Sequence, residues 1–171
     1  VDDWSASISL RQHVTIRWSG GVERFEAVLE KRPGRLRLVG LGPMTTPGFV
    51  LTLDADGLEV VNRTGRAFPF EPAFILADVQ RTYYPWTLQT AECKDCPRDL
   101  AGIDVVETQL ADGAIVRTFR TSPRDEASAI DVRIGAAMIA PGIPERAVIT
   151  NGWLGYEIEV ETSTAVSYTH L

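Results

Sequence analysis

Cysteine, histidine and paired carboxylates are the residues of this chain that could act on a substrate. Cys93-Lys94-Asp95-Cys96 is the most conspicuous grouping of them. A structural zinc ion takes four ligands, and the chain has only these two cysteines and two histidines, His13 and His170. A redox dithiol sits where a strand runs into a helix N-terminus, and no such pattern precedes Cys93, while Pro97 directly after Cys96 marks a turn. The pair therefore reads as a short loop disulfide or as two free thiols. A loop this short would constrain the unfolded chain little. His13 alternates in parity with Arg11, Thr15 and Arg17, which places it on a solvated face, away from any nucleophile it could activate. Asp2-Asp3 and Asp125-Glu126 fall in a tail and a turn, and Gly40-Leu41-Gly42-Pro43 does not open a helix as a phosphate loop must. Asn62-Arg63-Thr64 fits a glycosylation acceptor, a pattern common by chance. No catalytic residue, metal site or cofactor is expected, and an enzyme is not the expected function.

Charge points away from nucleic acid as well. The 171 residues carry 23 acidic against 17 basic side chains, a net charge of −6, with lysine only at Lys31 and Lys94. Displacing counterions from phosphates needs a concentrated positive field, and the arginines are scattered singly. No run of about 18 apolar residues is present to cross a bilayer as a helix. The sequence starts at Val1 without an initiator Met or leader pattern, which leaves a removed targeting segment or a missing N-terminus as alternatives. The last six residues, Val166 to Leu171, look like a translated sequencing adapter. Residues 1–165 are accordingly read as a single β domain and 166–171 as a non-native tail.

The elements that would position a site announce themselves by alternation with period two. Leu10, Val14, Ile16 and Trp18 share one face of a first strand. Phe25, Ala27 and Leu29 follow after Ser19-Gly20-Gly21, then Leu36 and Leu38 after Pro33-Gly34. Phe49, Leu51 and Leu53 come next, and Leu58 begins a return strand after the Asp56-Gly57 hairpin signal. These predict a meander of five strands over residues 10–62. A helix from Glu71 to about Tyr84, with Pro72 in its first turn and Pro85 ending it, would cover the apolar face. Its stripe reads Ala73, Phe74, Leu76, Ala77, Gln80 and Tyr83. Strands at 104–110, 115–121, 129–134 and 147–150, and a last one carrying Tyr156, Ile158 and Val160, bring the total to about ten.

The fold class that follows is mainly β: a curved antiparallel sheet forming an unclosed barrel of about ten strands with a covering helix. A barrel of that width is not easily filled by its own side chains, so a hollow is expected. The inward residues of the five strands named above, from Val14 to Leu58, together with Phe74 of the helix, are its expected lining. The 41–48 connection is long for a hairpin and carries Met44 between turn residues. Met44 there either touches something apolar, such as a membrane or a lipid, or folds back as core filler.

Arg35-Leu36-Arg37-Leu38-Val39-Gly40-Leu41-Gly42-Pro43, flanked by the Phe25–Leu29 and Phe49–Leu53 strands, resembles an uncharacterised family of bacterial outer-membrane lipoproteins. That family is itself similar to LolB, the outer-membrane acceptor of lipoprotein localisation. The 75–86 helix and Gly155-Tyr156-Glu157-Ile158 fit the same pattern, so the resemblance spans most of residues 10–162. It implies an unclosed barrel with a hydrophobic cavity for acyl chains. It also implies a membrane or cargo loop made of Leu41, Pro43 and Met44. The expected function is binding of lipid acyl chains or lipidated protein, as a periplasm-facing carrier or acceptor at the bacterial outer membrane. The expected partners are acyl chains of lipids or lipoproteins, the outer-membrane surface and a LolA-like periplasmic carrier. The alternative is a structural or interaction lipoprotein of the cell envelope whose barrel is filled by its own side chains.

Overall fold

The computed structural model describes residues 7–83, 103–120 and 129–168. The first half is the expected meander: β1 (Ser7–Trp18), β2 (Gly21–Arg32), β3 (Arg35–Leu41), β4 (Pro47–Asp54) and β5 (Gly57–Asn62). Helix α1 spans Pro72–Tyr83. The second half supplies β6 (Asp104–Gln109), β7 (Ile115–Arg120), β8 (Ile130–Ile134), the short β9 (Met138–Ala140) and β10 (Ile143–Pro144), β11 (Arg146–Asn151) and β12 (Tyr156–Tyr168). Strand β12 includes Val166–Tyr168, which pair with Ser9–Ser7 of β1. Cys93, Cys96 and the predicted last residues of the helix lie outside the described residues.

Ten strands make one antiparallel sheet in the order β5-β4-β3-β2-β1-β12-β11-β8-β7-β6, and β9 with β10 makes a separate ribbon. Strands β5 and β6 are the two edges, so the sheet is not closed. The long excursion from β5 to β6 leaves β12 to return beside β1 at the centre. In such a sheet, directly opposed residues share a face. Leu10, Leu29, Leu38 and Leu51 therefore form one row across four strands, each at most 4% exposed. Burying each leucine contributes roughly 2 kcal/mol. Ile158, Ile149 and Val132 continue the apolar face through the second half, each at most 5% exposed.

Curvature follows from what α1 touches. It packs on β4 and also on β8 and β11. Six strand spacings separate β4 from β8, about 29 Å in a flat sheet. The 12-residue helix is about 18 Å long. One helix reaches both only because the sheet curls around it. A bulge between Arg11 and Gln12 opposite β12 contributes to the bend: Ser163 is the extra residue, and its Oγ donates to the Arg11 carbonyl at 3.1 Å.

The helix presents a different stripe from the one its apolar pattern predicts. Ile75, Leu76, Asp78, Thr82 and Tyr83 are buried, whereas Phe74 is 38% exposed. The helix is turned so that Asp78 and Thr82, which a pattern reading assigns to solvent, face the sheet. Buried polar partners there make this orientation favourable, as described next.

Candidate functional site

Two polar clusters fix α1 to the sheet. Asp78 Oδ1 accepts from Arg81 Nη1 at 2.5 Å, and its Oδ2 accepts from the Tyr156 hydroxyl. Asn151 Nδ2 donates to the Tyr156 hydroxyl at 3.0 Å. Arg81 also lies over the rings of Phe119 and Trp153, at 5.8 and 5.7 Å from their centroids. Burial pushes the Asp78 carboxyl above its ordinary range, against the pull of Tyr156, Arg81 and Asn151. Burial and the neighbouring Asp78 push the Tyr156 hydroxyl up as well, so it is a neutral donor. In the second cluster Gln12 Nε2 donates to Tyr83 Oη at 2.5 Å and to Thr162 Oγ1 at 3.3 Å. Burial raises the Tyr83 hydroxyl too. Arg117 Nη1 caps the helix end, donating to the Arg81 and Thr82 carbonyls at 3.3 and 3.1 Å. These anchors all act on the C-terminal half of α1. The N-terminal half is apolar, and Ile75 there lines a groove.

That groove, of about 650 Å³, is the candidate site. Its floor is an aromatic triad. The Phe49 ring packs edge-on to Phe25 at 5.5 Å and to Phe68 at 5.2 Å. Gly40 of β3 makes this possible, because a Cβ there would lie 2.0 Å from Phe49 Cε1. The ring occupies the space that any other residue type would claim. Phe68 comes from the 63–71 connection, which also inserts Phe70 between Trp18 and Tyr156, with ring centroids at 5.8 and 4.3 Å. Neither phenylalanine was among the predicted lining. The signal was the apolar-proline-apolar run Phe68-Pro69-Phe70 in a segment otherwise polar.

One wall of the groove is the β3–β4 connection, through Leu41, Pro43 and Pro47. Pro43–Thr45 forms a single 3-10 turn in which Met44 (φ 57°) and Thr45 (φ 58°) both occupy the left-handed region. That region costs a non-glycine residue roughly 1 kcal/mol or more. The turn is closed by Gly42 N–H donating to the Thr46 carbonyl at 2.7 Å and Thr46 Oγ1 donating to the Pro43 carbonyl at 2.8 Å. Met44 is left 93% exposed at its tip, so it does not serve as core filler.

Of the predicted lining, the groove takes in Ile16, Phe25 and Phe49. Val14, Ala27, Leu29, Leu36, Leu38 and Leu51 lie on the same concave face but within the close-packed core. Trp18 and Leu53 pack half-buried against that core. Leu58 and Phe74 depart from the prediction. Leu58 is 37% exposed because β5 is an edge strand. Phe74 stands in the first turn of α1, at the margin of the buried stripe, and is 38% exposed. The predicted hollow along the meander is thus a shorter groove at one end of it. His13 is exposed and pairs in register with Glu26 and Glu161 on the convex face, as its parity predicts. Among the described residues no group of three or more His, Cys, Asp or Glu side chains could hold a metal ion.

Several solved structures align with most of this chain. A chain described as an outer membrane lipoprotein-sorting protein domain, from Vibrio parahaemolyticus, is 12% identical, with 99% of this chain and 88% of that chain covered and a TM-score of 0.46. A LolA superfamily protein from Nitrosomonas europaea is 7% identical over 96% of this chain and 87% of its own, with a TM-score of 0.44. The Mycobacterium tuberculosis lipoprotein LppX is 14% identical over 91% and 84%, with a TM-score of 0.38. No curated protein matches the chain. A protein family does match, over residues 9–164, nearly the whole of the described sheet. The chain therefore belongs to the family described as protein of unknown function (DUF3261).

Proposed function

We propose that this protein binds an acyl chain of a lipid or a lipidated protein in the Phe25–Phe49–Phe68 groove. It then acts as a periplasm-facing carrier or acceptor in the bacterial envelope, at the outer membrane. The observation that carries this reading is the aromatic-floored groove opening directly beside a rigid turn that displays Met44. Its volume of about 650 Å³ suits a small-molecule ligand. Each methylene moved out of water contributes about 0.8 kcal/mol, so covering ten of them contributes about 8 kcal/mol before the costs of association. Backbone strain retained in an exposed turn supports a contact role for Met44, since packing within the fold gives no reason for it. Leu41 and Pro43 form the root of that contact, and the outer-membrane surface or a LolA-like carrier is the partner it meets.

Titration of delipidated protein with a fluorescent fatty acid tests the reading. Saturable binding in the micromolar range or tighter is expected, and it should weaken at least tenfold in Phe49→Ser. No saturable binding up to about 100 μM probe, a ΔG° weaker than about −5.5 kcal/mol, would refute it.

A second reading has its own observation. Leu10, Leu29, Leu36 and Leu51 are fully buried, so the first half of the sheet fills most of its own concavity. An envelope lipoprotein with a structural or interaction role would need no more than that. It predicts no fatty-acid binding, and Phe49→Ser would then affect stability alone.

A further inference from the structure

The arginines carry information the groove's apolar floor does not. Thirteen arginines fall among the described residues, and seven of them pair with carboxylates: Arg11, Arg17, Arg37, Arg81, Arg117, Arg133 and Arg146. The pairing is the ordinary outcome for a chain of net charge −6, where acidic groups outnumber basic ones. The other six do not, and three of these, Arg24, Arg63 and Arg66, fall along the same groove, with Glu23 as the one carboxylate of its lining among the described residues. They come from two separate segments of the chain. Arg24 stands on β2 opposite Thr15, on the convex side of the groove's edge, whereas Arg63 and Arg66 stand in the turn after β5.

That turn is tightly held. Asn62 Nδ2 donates to the Arg66 carbonyl at 2.7 Å, and Thr64 N–H donates to Asn62 Oδ1 at 3.0 Å. The Arg63 N–H donates to the Gly48 carbonyl at 2.8 Å, tying the turn to the start of β4. The backbone carrying Arg63 and Arg66 is therefore fixed relative to Phe49, one residue beyond Gly48.

We propose that the groove selects acyl chains ending in an anionic group, and that Arg63 and Arg66 receive that group at the mouth while the chain lies on the phenylalanines. This inference rests on the acyl-binding reading above and names its substrate class: a single-chain amphiphile with a carboxylate or phosphate head. A guanidinium presents a planar fork of donors that matches either oxyanion. Charge next to an apolar wall is screened less than charge in open water, so the head and the tail are recognised together. A neutral headgroup would leave Arg63 and Arg66 solvated as they are and gain nothing from them.

Three ligands with the same myristoyl chain test this: myristate, myristoyl lysophosphatidic acid and monomyristoylglycerol, each titrated below its critical micelle concentration. Both anions should bind at least tenfold tighter than monomyristoylglycerol at low ionic strength, and the gap should narrow as salt rises. Arg63→Gln/Arg66→Gln should abolish the gap while leaving the monomyristoylglycerol affinity within twofold, a readout that a fold defect could not reproduce. Equal affinity of all three ligands in the native protein, with Phe49→Ser still weakening them, would overturn the headgroup inference and leave the acyl groove standing. No binding by any of the three would overturn both. A saturable response to inorganic phosphate alone that blocks lysophosphatidic acid but not myristate would overturn the shared amphiphile class, because the site would then be a phosphate site.

Discussion

Replacing Gly40 with alanine isolates the packing on which the groove depends. The new Cβ would lie 2.0 Å from Cε1, 2.3 Å from Cζ and 2.6 Å from Cδ1 of Phe49, so the ring must leave. Overpacking of this kind costs about 1–3 kcal/mol. Losing the edge-on contacts to Phe25 and Phe68 costs about 0.5–1.5 kcal/mol each. Against this, alanine in a strand recovers about 0.5–1 kcal/mol of the entropy that glycine loses on folding. The net expectation is a destabilisation of about 2–4 kcal/mol in the native background. In a Phe49→Ala background the obstruction is gone, and the same Gly40→Ala change should be neutral or stabilising by about 0.5 kcal/mol. Urea unfolding followed by tryptophan fluorescence gives both values, and their difference is the coupling between the two sites. An equal cost of Gly40→Ala in both backgrounds would refute the packing argument, because it would mean that alanine at position 40 is resisted by something other than the ring.

Asp78 gives a prediction with a sign. Its folded-state carboxyl is raised above 3.8, with burial the largest cause, so the folded protein holds that proton more tightly than the unfolded chain. The corresponding stability is present below the unfolded value and is lost as pH rises through the raised folded one. The stability of the native protein minus that of Asp78→Asn should therefore fall as pH rises from about 4 and then level off, measured by urea unfolding across pH. A difference that grows with pH would mean that Arg81 outweighs burial. Met44→Glu should leave fluorescent fatty-acid binding within twofold, since its side chain is 93% exposed, yet slow delivery of the bound probe to anionic phospholipid vesicles severalfold. Unchanged delivery would remove Met44 from the contact surface.

Much of the fold was legible because strands advertise themselves locally. Leu10, Val14 and Ile16 alternate with Arg11, Thr15 and Arg17, and turn residues such as Asp56-Gly57 set the register of each hairpin. The strand partners of β1–β5 followed from adjacency. The β3–β4 turn was visible as an irregular run, with Met44 at its tip. The site was legible only in part. Phe25, Phe49 and Ile16, placed inward by parity, line the candidate groove, whereas Phe68 was not expected there, because a residue in a long connection has no periodicity to report where it packs. Gly40 carried no apolar signal at all, since its role is to leave space.

Local sequence determined which residues face which side of each strand, where the chain turns, and that one helix covers the sheet. Two arrangements required the tertiary structure. One is the setting of α1, where Asp78 faces inward to meet Tyr156 and Asn151, and the Tyr83 hydroxyl meets Gln12, on strands more than sixty residues away in sequence. The other is the extent of the hollow, which depends on how tightly the sheet curls and on which side chains then reach one another. Alternation reports the face a side chain takes from its own backbone. Whether that face meets another side chain or empty space is set by elements distant in the chain, and only folding brings them together.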